Sequence, residues 1–151
     1  MATALALPAA VSLSAQPSSP AIADQAQTIP IGGTWTYAAG GGSSEASFTD
    51  GNGHAQLRLT CTRVTRRVTL SKPANLASPT LAVWTSTQSR NVAAGFDAAT
   101  ARLSAQFANW DPLLDAIAFS RGRFAVSASG QPALVVPSWG DISRVVEDCR
   151  V

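Results

Sequence analysis

Two cysteines, one histidine and nine carboxylates are the residues of this 151-residue chain with the means to do chemistry. A serine triad would have to use His54, the only histidine. It follows Gly53 in a turn, and no G-x-S-x-G elbow accompanies it. Asp50-Gly51-Asn52-Gly53 is superficially like a calcium loop but lacks the D-x-[DN]-x-[DN]-G spacing and the distant Glu, so it reads as a turn. Asp111 and Asp115 stand at i and i+4 around Pro112. Helix capping and the helix dipole account for them better than an acid pair does. Gly40–Gly42 lacks the Lys of a phosphate loop. No catalytic residue, cofactor or metal site is therefore expected, with carboxylate-only sites left open.

Cys61 and Cys149 read instead as a disulfide, the alternative being two buried free thiols. With two cysteines only one pairing exists. Cys61 ends the clearest alternation in the chain, Ala55 to Cys61, with Leu57 and Leu59 inward and Gln56, Arg58 and Thr60 outward. Cys149 continues a helical stripe of Ile142, Val145 and Val146. Bonded sulfurs are not nucleophiles, which favours binding over catalysis.

The formal charge of +2 is too small for a nucleic-acid argument. Two basic groups remain: Arg63, Arg66, Arg67 and Lys72 around one strand, and Arg121 and Arg123 around Gly122. Brought together, they would form an anion-binding surface for a lipid head group, a glycan or an acidic protein face. Against this stands solvated charge at a sheet edge, which the lack of interleaved aromatics favours.

The elements that must position these residues are mostly strands. Residues 34–38, 46–49, 55–61, 66–70, 80–86, 92–96, 101–108, 124–128 and 133–136 are β-prone, separated by turn signals every 8–12 residues or so. A helix is expected from Asp111-Pro112 towards Gly122. A second is expected after Ser138, with Asp141 completing a capping box and Arg144 facing Asp148 at i+4. The fold class is thus mostly β: an antiparallel sandwich or barrel of about eight strands with two short helices. Residues 1–23 read as an export signal, apolar to Ala15, broken by Pro17 and Pro20, and ending Ala21-Ile22-Ala23. No basic residue precedes that run, so the true start is expected upstream. The run is too short for a membrane span. Residues 24–33 read as a linker and 34–151 as one domain.

The segment Asp111 to Phe124, with Pro137-Ser138-Trp139 and Val145 to Arg150, resembles a family of uncharacterised exported single-disulfide proteins of alphaproteobacteria, sphingomonads especially. This implies a periplasmic or secreted domain and transfers no functional residue. A more distant resemblance, through Leu57-x-Leu59-x-Cys61 and a terminal helix ending in Cys, is to TagO-like (VasI-like) accessory proteins of type VI secretion. It implies a β domain closed by that helix. The expected function is an exported, non-enzymatic binding or accessory module of the cell envelope, with a protein or another envelope component as partner. The alternative is a secreted inhibitor of a protease or lysozyme, since such inhibitors also open with a Gly-x-Trp strand, here Gly33-Thr34-Trp35.

Overall fold

Alternation decides the larger sheet. In the computed structural model of the protein, which describes residues 22–151, β3 (Ala55–Thr62) buries Leu57, Leu59 and Cys61 and turns Arg58 and Thr60 outward. Its neighbours are β2 (Ser43–Asp50) and β4 (Arg67–Pro73). With β1 (Gly33–Gly40), β7 (Gly95–Asp97) and β8 (Arg102–Ala108) they form a six-stranded antiparallel sheet in the order β1-β2-β3-β4-β8-β7. A four-stranded antiparallel sheet, β10-β9-β5-β6, is built from β5 (Thr80–Trp84), β6 (Ser89–Ala93), β9 (Arg123–Ala128) and β10 (Leu134–Pro137). The two helices are α1 (Pro112–Ala118) and α2 (Gly140–Asp148). The fold is the mostly-β class expected, with two packed sheets and no closed barrel.

The core lies between the sheets. Trp35 stacks on Phe124 of the opposite sheet, with ring centroids 6.3 Å apart, and its Nε1 donates to the Pro137 carbonyl at 2.7 Å. Gly33 lets this strand in: a side chain there would run into the Thr49 carbonyl and the Phe48 ring. Four strands cannot cover six, and α2 takes up the remainder, lying against β1, β2 and β3 with Ile142, Val145 and Val146 buried. Alone this helix would be too short to persist. Cys149, its C-cap, is bonded to Cys61 with a Cα–Cα distance of 5.6 Å, so the expected disulfide is present.

Several local expectations differ. The apolar run 92–96 divides between two strands, β6 and β7, that belong to different sheets. Strand β4 continues through the expected turn at Lys72-Pro73 because it pairs with β8 over its whole length. Helix α1 stops at Ala118 and Phe119 caps it, short of Gly122, which occupies a left-handed turn. Helix α2 has no capping box. Trp139 is its N-cap, and the Ser138 hydroxyl donates to the Ile117 and Ala118 carbonyls, which ties α2 to the end of α1. Of the expected signal, residues 1–21 lie outside the described residues. In the 24–33 stretch, Ile31 N donates to the Val135 carbonyl and the Arg123 guanidinium donates to the Thr28 carbonyl. These bonds lay the stretch beside the four-stranded sheet.

Candidate functional site

The six-stranded sheet has one face in the core and one face that, among the described residues, no helix or sheet covers. Register fixes what the free face presents. Thr36, Ser47, Arg58, Ser71 and Ser104 lie in one row across β1, β2, β3, β4 and β8. The next row, towards the β3–β4 turn, is Ala38, Glu45, Thr60, Thr69 and Gln106. On the other side, Arg102 stands between Pro73 and Asp97. Small hydroxyls therefore fill most of the face, with three arginines (Arg58, Arg67 and Arg102) set among them.

Ser71, on β4, lies between the strands that carry Arg58 and Arg102. Arg58 is cross-strand to Ser71, and Arg102 donates from Nε to the Ser71 hydroxyl at 3.2 Å and from Nη2 to the Ser71 carbonyl at 3.1 Å. The carboxylate beside Arg58 is Glu45. One of its oxygens accepts from Thr60 at 3.1 Å, and the other lies 3.8 Å from Arg58 Nε, beyond hydrogen-bonding range. Arg58 Nε is shielded from solvent and has no hydrogen-bond partner. Burial first, and the Arg58 charge second, hold the Arg102 pKa below the ordinary arginine value, with Glu45 acting in the opposite direction. Asp97 uses a carboxylate oxygen on the Ala99 amide.

The structure separates the six basic residues singled out from sequence. Arg63, Arg66 and Arg67 share the β3–β4 turn, where Arg63 stands 4.0 Å from Asp148 near the end of α2. Lys72 points to the inner side at the far end of β4, donating to the Pro73 carbonyl at 2.9 Å, and burial lowers its pKa. Arg121 and Arg123 stand near the start of α2, where Ser138 N donates to the Gly122 carbonyl. The Arg121 amide donates to the Ser86 hydroxyl, and the Arg123 side chain is taken up by Thr28. Of these residues only Arg67 projects onto the free face, and Arg58 and Arg102 were not singled out. The signal was present in the outward phase of Arg58 in its strand. Its neighbour, 44 positions on, is found only by register.

The remaining candidates have structural work. Asp111 Oδ1 accepts from Leu113 N at 2.9 Å as the α1 cap, and both its oxygens take Arg90 Nη2. Both Asp115 oxygens take Arg150, and the Arg150 guanidinium lies over the Trp110 ring. His54 is exposed, while Asp50 accepts from Gln56, His54 N and Asn52 N, bonds that hold its pKa low. Beside the disulfide, the Tyr37 hydroxyl donates to Asp148 Oδ2 at 2.5 Å, and Arg144 sits over the Tyr37 ring instead of pairing with Asp148. Ser44, cross-strand to Cys61, is buried alongside, its hydroxyl beside Tyr37 and Asp148. Comparison with protein-family models, with curated proteins and with solved structures finds no match to this chain.

Among the described residues no helix is long and apolar enough to cross a membrane, and the buried intramolecular disulfide is compatible with an extracytoplasmic location.

Proposed function

We propose that this chain is an exported, non-enzymatic binding or accessory module of the cell envelope, periplasmic or secreted, and that it binds through the free face of the six-stranded sheet. One observation carries the reading. The core face of that sheet is covered by the second sheet and α2, while the free face presents rows of hydroxyls around two arginines with incomplete counter-charge. Support for export comes from the closed disulfide and the signal-like leader. Support for binding over catalysis comes from where the reactive groups are spent. Both sulfurs are in the bond, and Asp111 and Asp115 hold arginines.

The test is site-specific photo-crosslinking in cells. A benzophenone side chain at Thr69, on the free face, is expected to trap an envelope component. The same group at Asn52, on the β2–β3 turn, is expected to trap none. A chain that stays in the cytoplasmic fraction, or equal labelling from both positions, refutes the proposal.

A further inference from the structure

We infer that Arg58 and Arg102 form an anion subsite on the free face, and that its occupant is an acidic polysaccharide whose carboxylates they bind. The inference rests on the reading above and names the ligand class. The Arg102 guanidinium is bonded to Ser71, the cross-strand neighbour of Arg58; Glu45, beside Arg58, is divided between Thr60 and Arg58, and Asp97, cross-strand to Arg102, accepts from the Ala99 amide. Like charges this close repel, and a ligand carboxylate between them relieves the repulsion. The Arg58 side chain is 42% exposed, so its outer nitrogens are reachable although Nε is not. Arg102 has five N–H donors, and the bonds to Ser71 use two of them. Both therefore have fork donors to offer a carboxylate.

The surroundings select the carrier of that carboxylate. Ser47, Ser71 and Ser104 lie in line with Arg58, each able to donate and accept as a sugar hydroxyl does. The apolar side chains on this face are Ala38, Ala108 and Pro73. A protein hot spot needs a large anchor, a membrane surface needs an apolar wedge, and single-stranded nucleic acid needs a stacking ring. These rows contain none of the three. A hydroxylated polyanion needs only what is there.

The experiment uses the full chain on immobilised alginate, a polyuronate, with immobilised dextran as the neutral control. Retention on alginate, none on dextran, and release with rising salt are expected. Arg58→Gln with Arg102→Gln should weaken retention by roughly tenfold or more, while Arg121→Gln leaves it unchanged. Thermal unfolding checks that the variants are folded. If the glutamine pair fails to fold, Arg58→Lys with Arg102→Lys, which keeps charge and loses the fork, should still weaken binding. Equal loss with Arg121→Gln, absence of alginate binding, or a preference for anionic lipid vesicles overturns the inference. Thr69 crosslinks that persist in the glutamine pair overturn it while leaving the proposed function standing.

Discussion

Arg66 turns the β3–β4 connection with φ of 52°, left-handed backbone that disfavours any residue with a Cβ. Arg66→Gly is therefore expected to stabilise the protein by roughly 0.5 to 1 kcal/mol in urea unfolding, the gain reduced by glycine's freer unfolded chain. The Tyr37–Asp148 pair sets a pH window. Burial pushes the Asp148 carboxyl up, but the Tyr37 and Ser44 hydroxyls and then Arg63 and Arg144 outweigh it and hold it below the usual carboxylate range. A depressed carboxylate stabilises the fold above its unfolded pKa, and that contribution is lost as pH falls through the folded pKa. Tyr37 has the opposite sign. The Asp148 acceptor, then burial, raise its pKa, so its contribution is complete below its unfolded pKa and is lost as pH rises through the folded one. Tyr37→Phe should flatten both limbs. Stability measured at pH 3, 7 and 11 is expected to vary less in the variant than in the native chain.

At the level of elements, α2 is held at both ends. Cys149 is bonded to β3, and the Ser138 hydroxyl grips the last carbonyls of α1. Replacing both cysteines by alanine should lower stability by about 2 to 5 kcal/mol, with the loss concentrated in α2 and read as faster amide exchange there than in β3. These elements differ in how far the sequence discloses them. Cys61 and Cys149 each sit on an apolar phase that can be counted in a few residues, so strand, helix and bond are visible in advance. The break between β6 and β7 is not. It occurs at Ala94, whose amide bonds to Pro79, a tertiary contact that no local pattern encodes. The Arg58–Arg102 pair is hidden for the same reason, since strand order brings β8 beside β4. Ser138 misleads because a hydroxyl before a helix is read as a cap, yet α1 offers it nearer acceptors.

For the whole molecule, the two faces of the larger sheet should respond differently to change. Thr69→Lys and Gln106→Lys, on the free face, are expected to stay within about 0.5 kcal/mol of the native chain. Leu59→Ala and Phe48→Ala, on the core face, should cost about 2 to 5 kcal/mol because each leaves a cavity. Chemical denaturation of the four variants separates the outcomes, and a large loss from a lysine would mean that the free face is packed. The disulfide also bears on how quickly the fold is reached. Strands β1 to β4 pair in succession as short hairpins, but α2 meets them only after a long excursion, with Tyr37 and Asp148 separated by 111 positions. In the reduced chain that closure must be found by diffusion. In the oxidised chain the ends of the 88-residue span are never far apart, so the search is shortened before folding begins. Refolding from urea should accordingly be faster oxidised than reduced.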